Sequence, residues 1–196
     1  MTGAFPRRSR GYARGDLGLV MNLDAYNALR DECAVIELEG RGLISVKGDD
    51  RARFLHAMTT AGIQGLAEGA GILALFLSDK GRILAEALVL SRDEDLFVDT
   101  EPGTRELLLE HLDRFIIMDD VELEDDSAAY CVFGVEGPRA AALLEGLGAG
   151  LPEQDHAYTV WGEAIVAKYS YSGGPGYRIY APAAAKDEWL AKLSAA

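Results

Sequence analysis

The chain has 196 residues, of which 49% are hydrophobic, and a formal net charge of −13. That is enough apolar material for a real core in one domain or two small subdomains, while the acidic surface repels phosphate backbones and disfavours nonspecific nucleic-acid binding. No apolar run approaches the ~20 residues that cross a bilayer, and the head "MTGAFPRRSRGYARGDLGLV" lacks the continuous apolar block of a secretory signal. These features place the protein in the cytoplasm and off the membrane.

Residues 1–20 carry Arg7, Arg8, Arg10 and Arg14 against Asp16, with no apolar periodicity, and read as a flexible basic extension. "LDAYNALRDE" sets Leu23, Tyr26 and Leu29 at helical spacing behind Asn22 or Asp24 as a cap. Two β-like runs follow, "CAVIELEG" and "GLISVKG", joined through Gly-Arg-Gly. "GDDRARFLHAM" predicts a helix started by Asp49 and Asp50, and "GILALFLS" and "GRILAEALVL" form a hairpin about Asp79-Lys80-Gly81. "DLFVD" adds a strand, and 101–115 a helix with Leu107, Leu108, Leu112 and Phe115 on one face.

The acidic run "IIMDDVELEDD" reads as an edge strand leaving a first subdomain, residues 21–120. Residues 121–196 form a second: "AYCVFGVEG", a helix opened by Gly137-Pro138, the runs "TVWGEAIVAKYSY" and "GYRIYAP", and an amphipathic terminal helix. Strand runs interrupted by single helices predict an α+β fold of two small, mainly antiparallel subdomains with flanking helices.

Common chemistries are missing from the pattern. There is no GxSxG, no P-loop lysine, no HExxH and no complete GxGxxG after a strand. Cys33 and Cys131 lack metal or redox spacing and read as buried reduced thiols. His56, His111 and His156 are scattered and read as surface or helix-face residues, with no metal implied. Asp119 and Asp120 sit inside an acidic stretch and read as a solvated face.

Four segments in order, "GLISVKGDDRARFLHAMTT", "LAEGAGILALFLSDKGRILAEALVL", "VFGVEGPRAAALL" and "YSYSGGPGYRIYAP", resemble the first two domains of the glycine-cleavage T-protein (aminomethyltransferase) family and its YgfZ-like folate-binding relatives. The resemblance runs from about Leu23 to Ala196. It implies tetrahydrofolate or a related reduced folate as ligand, and a C-terminal barrel domain that this chain stops short of. On the positions that match, it implies Thr60, Glu86, Tyr171, Gly173, Gly174 and Tyr177 as cofactor-binding residues.

Two expected carboxylates are replaced: the first of the family's acidic pair falls on Ala85, and the glutamate of its Gly-rich segment falls on Gly174. The polar pair after the early helix is Ala61-Gly62. Alternation along the strand puts Glu86 on the face opposite Ala85. Tyr171 and Tyr177 are candidates either for stacking on a planar ligand or for packing, Lys80 and Arg82 either for a ligand's acidic tail or for a solvated turn, and Arg178 faces outward or pairs with the acidic edge.

The resemblance therefore implies a truncated, non-catalytic folate-binding accessory protein, linked to one-carbon metabolism or iron–sulfur enzyme maintenance. Two alternatives stand beside it: a divergent tetrahydrofolate-dependent aminomethyltransferase subunit, and a ligand-free scaffold. The partner would be a separately encoded barrel or a second copy of the chain.

Overall fold

In the computed structural model, which describes residues 23–195, two five-stranded antiparallel sheets carry all the named strands. One contains β1 (Ala34–Glu37), β7 (Tyr130–Glu136), β8 (Tyr158–Trp161), β9 (Ala164–Ala167) and β10 (Gly176–Pro182), in the order β1-β7-β10-β9-β8. The other contains β2 (Gly42–Lys47), β3 (Gly71–Leu77), β4 (Ile83–Ser91), β5 (Leu96–Thr100) and β6 (Glu122–Asp125), in the order β3-β4-β5-β2-β6. The helices are α1 (Leu23–Asp31), α2 (Arg51–Met58), α3 (Arg105–Asp113), α4 (Ala140–Gly146) and α5 (Lys186–Ser194). The α+β class matches the expectation from strand and helix runs, and the extension expected over residues 1–20 lies outside the described residues.

Period-two alternation sorts the strand side chains into three apolar layers. Val46, Val89 and Val98 face Phe54 and Leu55 of α2 and Leu108 and Leu112 of α3. Phe133, Val135 and Ile179 face Ala140 and Leu144 of α4 and Leu193 of α5. The alternate residues Leu43, Leu88, Leu90 and Phe97 meet Val132, Ile165 and Tyr180 from the opposite sheet. The result is a four-layer α/β/β/α sandwich in which each fully buried large apolar side chain contributes ~1.5–3 kcal/mol.

The sheets do not divide where the acidic run would divide the chain. β1, from the first half, pairs antiparallel with β7, and β6, from the second half, pairs with β2. Periodicity identifies a strand but carries no label for its partner, so the exchange is invisible locally. β6 is an edge strand of its sheet, as the acidic run implied, and its outward carboxylates discourage further pairing.

The Asp119-Asp120 pair closes the start of α2. Asp49 N–H donates to Asp120 Oδ2 (3.2 Å), Asp120 N–H to Asp50 Oδ2 (3.0 Å), and Arg53 pairs with Asp119 (2.6 Å). Gly48 is obligatory here: its φ is +98°, and a Cβ would sit 2.1 Å from the Asp120 carbonyl oxygen. Helix α3 starts later than the sequence suggested, because Glu101–Thr104 forms a turn with Gly103 at φ +83°. Past the C-terminal end of the same helix, Ile117 and Met118 are more than four-fifths exposed.

Both cysteines are buried free thiols, and burial pushes Cys33 up to about 11. Among the described residues no helix is long and apolar enough to cross a membrane, and no cluster of ligating side chains could hold a metal ion. Of the two positions expected for the histidines, surface or helix face, His111 takes the helix face and is buried there. It is buried on α3 against Phe115, its Nδ1 accepting from Arg114 (3.3 Å) and its Nε2 without a partner. Burial and the nearby Arg114 charge push it below the ordinary histidine value.

The unfolded chain therefore takes up this proton first, at ~6.5, so stability is full above that pH and falls as pH drops toward the lower folded value. Urea unfolding across this interval should show His111→Phe losing the slope that the parent shows.

Candidate functional site

Strand β5 and the residue just before it place Asp95, Phe97 and Asp99 on the same face, toward the opposite sheet, because they alternate i, i+2, i+4. Phe97 joins the central apolar layer, and the two carboxylates mark its ends. At one end Arg92 grips Asp95 through two nitrogens, reaches Ser45 Oγ (3.1 Å) and Tyr130 OH (3.3 Å), and lies over the Phe97 ring. That end is a closed network of side chains.

The other end is built on Asp99, which is fully buried. Arg41 Nε donates to its Oδ1 (2.7 Å), while Arg178 and the Tyr180 hydroxyl (2.6 Å) donate to Oδ2. Arg41 also pairs with Glu101 (2.8 Å), so two cations face two anions. Burial, reinforced by the Asp99 charge, holds Tyr180 well above the ordinary phenol value and keeps it a hydrogen-bond donor. The expectation that Arg178 faces outward or meets the acidic edge is thus corrected: alternation within β10 sets Arg178 and Tyr180 inward, on the face opposite Tyr177.

Over this cluster lies the segment 169–175, shaped by one carboxylate. Glu136, at the end of β7 and buried, accepts from Ser170 Oγ (2.5 Å), Tyr171 N–H (3.0 Å) and Ser172 Oγ (2.8 Å). Gly176 makes room for it, since a Cβ there would stand 2.7 Å from Glu136 Oε2. The fold of this segment brings the Tyr169 ring over Arg178 at 4.4 Å, and Tyr171 over both Arg178 (5.2 Å) and Arg41 (5.7 Å). The Tyr171 hydroxyl contacts Glu101, and half of Tyr171 is exposed. Burial alone would raise Glu101, yet the Tyr171 hydroxyl and Arg41 outweigh it and hold the carboxyl below its ordinary value.

Of the residues singled out from the sequence, Glu86, Tyr171, Gly173 and Gly174 gather at this corner. Ala87 is paired with Thr100, so extending the β4–β5 register by one residue sets Glu86 beside Glu101 on the face that carries Asp99. Glu86 is exposed and close enough to act electrostatically on Tyr169. Gly173 turns the segment at φ +74°, while Gly174 has ordinary backbone and a Cβ there would make only an ordinary 3.6 Å contact with Ser172 Oγ.

Thr60 lies one strand further out, its N–H donating to the Leu75 carbonyl (3.0 Å) and its hydroxyl accepting from Leu75 N–H (3.2 Å), directly across β3 from Glu86. Tyr177 does not belong to the corner. It packs in the core beneath α4 and α5, because inside β10 it alternates with Arg178. Ala85 is also buried on the helix-facing side of its sheet, whereas Lys80 and Arg82 sit on the exposed hairpin about Ser78.

Arg41, Asp99, Glu101, Tyr169 and Glu136 were missed by sequence reasoning. The alternation in "DLFVDTE" was the available signal, since it puts Asp99 and Glu101 on the face of Phe97. Substituting Asp99→Asn leaves two buried guanidiniums short of their counter-charge and should cost about 3–5 kcal/mol in urea unfolding.

Comparisons with known proteins agree with this architecture. An aminomethyltransferase of Rubrobacter xylanophilus is 27% identical over 84% of this chain and 46% of its own length. The tRNA-modifying protein YgfZ of Serratia proteamaculans is 25% identical over 69% of this chain and 41% of its own. The chain spans half or less of the length of these curated relatives. The glycine cleavage system aminomethyltransferase T of Bartonella henselae superposes with a TM-score of 0.80 at 17% identity, over 87% of this chain and 48% of that one, which establishes the fold. The family model described as the GCVT N-terminal domain matches residues 20–196, and the chain belongs to that family.

Proposed function

We propose that this chain is a cytoplasmic reduced-folate-binding accessory domain that performs no transfer chemistry of its own and serves one-carbon metabolism or the upkeep of iron–sulfur enzymes. The observation that carries this reading is the pair Glu86 and Glu101 on one face of the sheet beside the rings of Tyr169 and Tyr171. A pterin offers amino and ring N–H donors and a flat π-face. Carboxylates accept the former and tyrosines stack on the latter.

Glu86 and Glu101 thereby supply acceptors that Ala85 and Gly174 do not. The non-catalytic half of the reading rests on Ala85. It belongs to the buried apolar cluster that also holds Phe54, Leu55 and Phe76, so position 85 presents no acid to a ligand at the Tyr171 corner. A second reading, aminomethyl transfer to tetrahydrofolate with groups lent by another chain, is favoured by the name of the Rubrobacter relative. The exposed Ile117 and Met118 are where such a chain, or a separate barrel, could seat.

Calorimetric titration with folinic acid should give saturable micromolar binding. Glu86→Gln should weaken it about tenfold, the worth of one charged acceptor. Gly174→Glu, at a position with room for the side chain, should tighten it by a similar factor. No heat at millimolar folinic acid defeats the proposal, and release of ammonia from an aminomethylated lipoyl carrier would replace it with the transferase reading.

A further inference from the structure

Two connections cross between the sheets on one flank of the molecule: residues 38–41, from β1 to β2, and residues 126–129, from β6 to β7. Between them opens a groove of about 480 Å³, within the range of small-molecule sites. Leu43 and Val132, both members of the central apolar layer, line it, and Leu38, Ala128, Arg105 and Lys186 complete its walls. Arg41 also lines it, with its charge consumed by Asp99 and Glu101, and is the residue the groove shares with the Tyr171 corner.

The cations of the walls differ in their state. Lys186 is committed to Glu37. Arg105 is held more loosely: it pairs with Asp125 at 3.4 Å and with the exposed Glu106 at 3.3 Å, while its buried Nε makes no hydrogen bond. Its stem is wedged against β2, where a Cβ on Gly42 would lie 2.8 Å from Arg105 Cβ. A positioned guanidinium with an unused buried N–H beside an apolar surface is a rare arrangement in native proteins, and it matches an anion carried on an apolar body.

Glu39, on the rim, has no ion-pair partner among the described residues, and the molecule is acidic overall. Both features oppose a doubly charged phosphate more strongly than a single carboxylate. We propose that this groove is a second binding site, separate from the Tyr171 corner, for a small organic carboxylate whose charge pairs with Arg105 and whose apolar part lies against Leu43 and Val132.

The probe is benzoate, added to the full chain at constant ionic strength and followed through backbone amide resonances. Saturable shifts should appear at Gly40, Ala128 and Lys186, and not at Gly174. Arg105→Gln should weaken binding about tenfold, and Ala128→Trp, which fills the groove from its exposed wall and leaves Arg105 in place, should abolish it. The proposal is overturned if the groove amides fail to saturate, if both variants bind benzoate as the parent does, or if inorganic phosphate binds as tightly as benzoate.

Discussion

Two arginines share one carboxylate in a place where water cannot help either of them. Asp99 is the ion-pair partner of Arg178, and it holds Arg41 and Tyr180 at the same time. Asp99 comes from one sheet and Arg178 and Tyr180 from the other, so this is the point at which the two sheets are indexed on each other. An apolar layer by itself is tolerant of sliding, since apolar contacts have no direction. A carboxylate with donors on both oxygens is not tolerant, because a shift of one residue would strand charges in the interior.

The position of everything at the Tyr171 corner follows from that indexing. Glu101 is two residues beyond Asp99 and shares Arg41 with it. Tyr169 and Tyr171 arrive from the other sheet and spread over guanidiniums whose places are already fixed. The groove on the neighbouring flank inherits the same frame, for Arg41 stands in its wall. The opposite end of the layer, where Arg92 and Asp95 close on Ser45 and Tyr130, has its donors consumed internally.

Strands, helices and the hairpin at Asp79-Lys80-Gly81 could be read from the chain because they depend on neighbours within a few residues. The ordered motifs also carried the family. The sheet partners could not be read in this way: Arg178 was placed wrongly because Asp99 lies 79 positions away and no local pattern advertises the pair. Tyr171 and Tyr177 look alike in "YSYSGGPGYRIY", yet the turn between them breaks the alternation, so one lies half-exposed over Arg41 and Arg178 and the other is core. Glu136 illustrates the converse. Its charge was plain in the sequence, but its use, satisfying three donors 34 to 36 residues later, exists only in the folded chain.

The exchange of β1 and β6 between the sheets also sets a schedule for biosynthesis. Ala34 finds Glu136 as its partner, so β1 leaves the ribosome about a hundred residues ahead of the strand it pairs with. At ~5–20 residues per second, the nascent chain carries an unmatched strand for roughly 5–20 s. During that interval its free edge and apolar side chains are open to other nascent chains and to chaperones. Neither sheet can be finished by the first half of the polypeptide, and the molecule commits to its native pairing late, when β7 emerges.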